Sequence, residues 1–361
     1  MNQHFVPRVY LKHFAEKKEN EYFIDVFDKK LEKYFNTNIK MICAEKNLYT
    51  LKQNSKIIGD KFVIEKMYSN YIEPLYLKSY NILTDDAITT ISNTERAEII
   101  IGIFQLYMRN PKHLNKAISM HKTRLTNEIM IAKSKKLKGI TYLNEDFSFR
   151  EWEDDDIIKS IIEKIANSFK NNHIVATRKI CEFHSYVKIE ISKITDDSEF
   201  ITSDNPLSIE DFVLKNDNPF SYSKEFILPL NKKYILRLFH ETSKDLNFIY
   251  RKTIFKGTTE LFNDNINKDT ARFLLGSKKS IIEHFDIQKI LNDSSIDKKM
   301  QMIKDIIQKT NISHENSEMH NIMKFYFEMY EKQGTLSKLD ENNFHAELSK
   351  INRDWKIKSI Q

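Results

Sequence analysis

The spacing of hydrophobic and polar positions along this 361-residue chain changes period twice, and each change marks a different kind of structure. Residues 22–27 and 31–35 are rich in aromatic and β-branched side chains and flank a turn-like Asp28, Lys29 and Lys30. That pattern predicts a β-hairpin. Residues 48–51 predict another short strand. Pro7 suits the first turn of a short helix reaching Phe14, because its fixed φ and missing N–H cost little there.

From about residue 60 the apolar spacing becomes helical, with Phe62, Ile64, Met67, Tyr71, Leu75 and Leu77 predicting one helix. Ser92 or Thr94 before Glu95 caps a second, which carries Ile99, Ile103, Leu106 and Tyr107. Asn110 and Pro111 should break or kink it. A basic third helix covers residues 112–135, and a fourth over 155–169 buries Ile157, Ile158, Ile161, Ile162 and Ile165. Near residue 180 the pattern turns to strands: residues 185–192 alternate with period two, and 199–202, 226–230 and 234–239 also read as strands. Residues 258–275 return to helix, and polar-rich amphipathic helices fill the tail from about 281.

The expected fold class is therefore α+β, with a mainly helical N-terminal half packed on a mixed β-sheet and a C-terminal helical appendage. The first hairpin is a candidate to join that sheet. Residues 1–280 form one unit, helical over 60–175 and sheet-rich over 180–255, followed by the tail at 281–361.

Composition narrows the classes of function. A chain of this length can bury a substantial core without covalent staples. Cys43 and Cys181 are the only cysteines, so neither a disulfide framework nor a cysteine-built zinc site is expected. With no basic segment leading into an apolar run and no stretch long enough to span a bilayer, the expectation is a soluble protein of the cytoplasm. The net charge is +6, yet the charges are segregated. Residues 111–138 hold eight basic side chains against Glu128 alone, and residues 145–156 hold seven acidic ones against Arg150 alone. The two blocks either neutralise each other or leave a phosphate-binding face.

The six glycines never share a short loop, which excludes phosphate-cradling glycine motifs. Zincin, nucleophile-elbow and EF-hand patterns are also missing. What remains is two dense polar clusters, His4 to Phe14 and Phe200 to Pro206, in a chain with only six prolines. The residues His4, Val6, Pro7, Tyr10, Leu11 and Phe14 resemble the opening signature of the bacterial domain-of-unknown-function family 4238. Residues 44–50, Tyr71 to Glu73, 105–111, 200–206, 228–230 and 263–277 resemble later blocks of that family, in order. The resemblance spans roughly residues 1–280 and implies no particular reaction.

Read chemically, His4 titrates near neutrality and can serve as a general acid or base, or can lock the first helix through a backbone carbonyl. Arg109 needs an acceptor at the end of an apolar helix: either Glu73 or a substrate phosphate. Asp204 sits in a turn after a strand, where it can bond its own backbone, orient His4 or hold a metal. Adjacent Ser203 and Asp204 side chains diverge, which argues against a Ser-His-Asp triad. The catalytic expectation is thus His4, Arg109 and Asp204, with Tyr10, Ser203, Asn205, Lys112, Lys116 and Lys122 binding substrate. A divalent metal is the cofactor such a site would suit. The function expected is an enzyme acting on nucleic acid, a toxin-like or phage-defence nuclease. The alternative is a non-catalytic module that binds nucleic acid, or a protein through its tail helices.

Overall fold

The computed structural model describes residues 2–51, 60–211, 219–241 and 245–292. Most of the helical tail expected from residue 281 lies outside them. The expectation of a mainly helical N-terminal half is overturned. The chain opens with β1 (Asn2–His4), the single-turn α1 (Arg8–Leu11), β2 (Glu16–Lys18), β3 (Glu21–Asp28), β4 (Lys33–Asn38) and β5 (Ala44–Lys46), all before any long helix. Helices then take over in α2 (Val63–Met67), a π-helical turn (Tyr68–Ile72), α3 (Glu73–Thr84), α4 (Asn93–Met108) and α5 (Pro111–Ser134). A further hairpin, β6 (Gly139–Tyr142) and β7 (Glu145–Ser148), interrupts them before the long α6 (Asp154–Phe183).

The second half contains β8 (Lys188–Ile194), β9 (Thr202–Ser203), β10 (Ser208–Asp211), β11 (Lys224–Pro229), β12 (Tyr234–Phe239) and β13 (Ile249–Ile254). It continues into α7 (Lys256–Asp269), β14 (Phe273–Gly276) and α8 (Lys278–Asn292). The single mixed sheet expected here is replaced by two five-stranded sheets among the described residues. One runs β10-β11-β12-β8-β13, antiparallel except for the parallel β8–β13 pair. In the other, β3 pairs with β2, β4 and β14, and β14 continues to β9. The first hairpin therefore joins a sheet other than the one expected, because Phe273 to Leu275, expected to be helical, belong to a strand that reaches Gly276 and pairs with Asp28 to Asp25.

Local chemistry explains most boundaries. Pro7 caps α1 at φ −60° and ψ 142°. Ser92 and Glu95 form a reciprocal capping box at the start of α4. Asn110 caps α5 by accepting from the Lys112 N–H at 2.9 Å, with Pro111 at the first helical position. The single helix expected around residues 62–77 is broken by the π turn, which inserts a residue and rotates the later face. Tyr71 is consequently exposed (71%), while Tyr68 and Tyr76 are buried. Residues 48–51 form no strand; β5 lies just before them and pairs with β1.

A single large core joins the two sheets to α1, α3 and α4, from Val6, Tyr10 and Leu11 to Ile103, Phe104, Phe226 and Leu238. A smaller cluster under the β6–β7 hairpin, including Leu125, Phe147, Ile157 and Ile161, packs α5 onto α6.

Candidate functional site

The two polar clusters of the sequence meet in the interior, at the break between α4 and α5. Arg109 caps the C-terminus of α4 and is 1% exposed. Its guanidinium donates to the His4 carbonyl, approaches Glu73 Oε1 at 3.5 Å and lies over the Tyr68 ring at 4.2 Å. The Arg109 carbonyl in turn accepts from the Tyr49 hydroxyl. Helix α3 and strand β1 are thus tied to α4 by one side chain. The expected Arg109–Glu73 pairing is present, and a planar guanidinium can serve two acceptors while its face lies on a ring.

His4 is brought to this centre through its main chain. Its imidazole is half-buried, and burial, reinforced by Arg8 and Arg109, holds its pKa below 6.5 against opposing carbonyls at Ile39 and Lys40. The His4 Nε2 has no partner.

Asp204 is also buried, and its carboxylate is taken by main-chain donors. Oδ1 accepts from the Ala271 N–H at 3.0 Å, and Oδ2 from those of Arg272 and Phe273 at 2.8 and 3.1 Å. The expected role of orienting His4 is not what this carboxylate does; it fixes the entry to β14 instead. Ser203 is fully buried, and its Oγ accepts from the Asn205 N–H at 3.0 Å. Asn205 donates to the Asp269 carbonyl at 3.1 Å, and Lys112 donates to the same carbonyl at 3.2 Å. Tyr10 bonds Thr202 Oγ1 at 2.6 Å and donates to the Pro229 carbonyl at 2.8 Å. Burial raises its phenol well above the usual range. Tyr10, Ser203, Asn205 and Lys112 therefore join parts of the chain to one another. Lys116 and Lys122 lie on the exposed face of α5.

Several residues of this centre escaped the sequence reading. Tyr68 bonds His173 Nε2 at 2.6 Å, and Tyr49 packs against both rings. Gln3 accepts from the Tyr49 N–H at 2.7 Å. Glu65 is pushed up by burial, with Arg109 opposing. Buried atoms left without partners include Gln3 Nε2, His4 Nε2, Glu65 Oε2 and Arg109 Nε. His173 sits alone on a helix 30 residues long, and no local pattern marks it. Asp269 at the end of α7 is another such hub, with Oδ2 accepting from Ser208 Oγ at 2.6 Å and the Ile209 N–H at 3.1 Å. Among the described residues, no group of three or more His, Cys, Asp or Glu is placed to hold a metal ion.

These features define an α+β protein whose polar motif residues lace its helices to two sheets. Residues 2–284 match the family described as Protein of unknown function (DUF4238), and the chain belongs to it. No curated protein and no solved structure matches the chain. No helix among the described residues is long and apolar enough to cross a membrane.

Proposed function

We propose that this protein is a non-catalytic module of the cytoplasm that binds nucleic acid through the basic face of α5. The observation that carries this reading is a division of labour between two sets of polar residues. Asp204, Arg109 and Tyr10 spend their polar atoms on internal contacts, whereas Lys122 of α5 and Lys135, Lys136 and Lys138 just past its end are exposed. Neutralisation by the acidic block is limited. Lys133 pairs with Asp154 at 2.7 Å, but Asp154, Asp155 and Asp156 occupy the first turn of α6, where the helix dipole favours them. The two free cysteines, Cys43 and Cys181, suit a reducing compartment.

Fluorescence anisotropy with labelled single- and double-stranded oligonucleotides, read across a salt series, tests the proposal. Lys122→Glu/Lys136→Glu should weaken binding to all sequences alike and reduce the salt slope by about 2, one per lost phosphate contact. An unchanged affinity and slope would overturn it.

A second reading, an enzyme of the toxin-like or phage-defence nuclease kind, is favoured by one observation. Buried side-chain atoms of Gln3, Glu65 and Arg109 lack partners, Arg109 lies over Tyr68 of the π turn, and both features concentrate at functional sites. On this reading the folded protein degrades RNA or DNA, and His4→Ala abolishes cleavage with little change in melting temperature. Absence of cleavage would remove it.

A further inference from the structure

Near the turn of the first hairpin, one face of its sheet reaches solvent. Across three strands, Phe273 of β14 lies opposite Asp28 of β3, and Asp28 opposite Lys33 of β4. Phe35 stands two residues beyond Lys33 and so shares that face, opposite the buried Val26. It is 40% exposed, on a strand whose other edge pairs with no strand among the described residues. The core ends at Val26, and an aromatic ring is left in water at the rim.

The Phe35 and Phe273 rings stand 6.5 Å apart at 87° to one another. Two perpendicular rings form a corner, in which a flat group laid on the face of one meets the edge of the other. The Arg272 guanidinium lies 4.6 Å from the Phe273 centroid, and Asp28 fixes it there with contacts of 2.7 and 3.0 Å. The Asp28 carboxylate is spent on this and on the N–H groups of Lys30 and Leu31. Around the corner the charge is positive, with Lys30, Lys33 and Arg272 exposed against an exposed Glu32. Rings set among cations match a polyanion that carries flat bases. The corner also adjoins the start of α5: Asp204 accepts from the Phe273 N–H through its carboxylate and from Asn110, the cap of α5, through its carbonyl.

We propose that this corner stacks the unpaired bases of a single-stranded nucleic acid, with Lys30, Lys33 and Arg272 along its phosphates, an inference that rests on the reading of α5 given above. Bases inside a duplex are already stacked and cannot offer their faces. Fluorescence anisotropy of the full chain with a thymidine homo-oligonucleotide, an abasic strand of equal length and a duplex separates bases from backbone. The thymidine strand should bind about tenfold tighter than the abasic one. Phe35→Leu, which keeps apolar bulk beside Val26, should cut affinity for the thymidine strand about fivefold. Its affinity for the abasic strand and duplex, its salt slope and its melting temperature should hold, and Phe35→Trp should retain the thymidine preference. Duplex binding with equal affinity for the thymidine and abasic strands, or a thymidine preference that survives Phe35→Leu, would overturn this proposal alone. Absence of binding to all three probes would sink it together with the reading of α5.

Discussion

The side-chain amide of Asn110 donates to the main-chain carbonyl of Asp204 at 2.7 Å, across a sequence separation of 94 residues. The same asparagine caps α5, so the break between α4 and α5 is also the point at which the helices are fastened to the β9 segment. The Asp204 carboxylate extends the fastening to β14. Helix start, sheet exit and late strand form one hydrogen-bonded assembly.

Asp204→Ala leaves the N–H groups of residues 271–273 without acceptors inside the protein. The expected loss is about 2–4 kcal/mol, since buried donors keep their desolvation cost when the partner is removed. For a chain of this size that is roughly 3–5 °C in melting temperature. Asp204→Asn, which keeps one acceptor oxygen, should lose less. Calorimetry on the three proteins checks the order.

Acid should weaken the fold well above the range in which carboxylates titrate. Burial pushes His13, His113, His184 and His240 down to about 4 from the usual 6.5. The unfolded chain therefore takes up protons at these sites as pH falls through 6.5, while the folded chain resists until about 4. Their stabilisation is complete above 6.5 and drains away between 6.5 and 4. His184 Nε2 lies 2.7 Å from the Pro219 carbonyl, so that nitrogen carries the hydrogen. Its Nδ1 then accepts from His240 Nε2 at 2.8 Å, and protonation would set two donors face to face. For the fully buried His184 the share is at most about 3 kcal/mol. Urea midpoints measured from pH 7.5 to 4.5 should fall, and more gently in His184→Asn; a flat profile would contradict the assignment.

Arg251 of β13 closes the C-terminal end of α3. Its guanidinium donates to the carbonyls of Ile82, Leu83 and Ile88 at 3.2, 2.9 and 3.0 Å. Arg251→Lys keeps the charge but cannot address three divergent acceptors, so a loss of about 1–2 kcal/mol is expected. Hydrogen exchange should localise the loosening to the last turn of α3.

Gly139 has no room for a side chain. A Cβ there would sit 2.2 Å from the Phe147 carbonyl oxygen, on the partner strand of the β6–β7 hairpin. Gly139→Ala must displace backbone and should cost about 1–3 kcal/mol. Because Phe147 belongs to the cluster holding α5 to α6, protease sensitivity should rise there before the main core yields.

What the sequence disclosed were features written within a few residues. Pro7, the cap before Glu95, the Asn110–Pro111 break, the β3–β4 hairpin and the central strands β8, β11 and β12 each depend on neighbours in the chain, and each is found. The π turn is a local insertion with no compositional mark, so the periodicity through Tyr71 and Leu77 misjudged the buried face. Strand β14 is four residues long and gains its identity from β3, some 250 positions earlier. At the Arg109 centre, residue types were readable while partners were not. Asp204 looked available because its acceptors and donors are main-chain groups of residues 271–273, which no side-chain pattern announces.

The pairing of β3 with β14 constrains synthesis. Until residue 276 has emerged from the ribosome, the edge of β3 opposite β4 has no strand beside residues 25–28, for β2 covers only residues 21–23. A nascent chain stalled or cleaved before that point carries a ready template for strands of other molecules. Late completion of an early sheet is thus a period of exposure to aggregation that chaperones would have to cover.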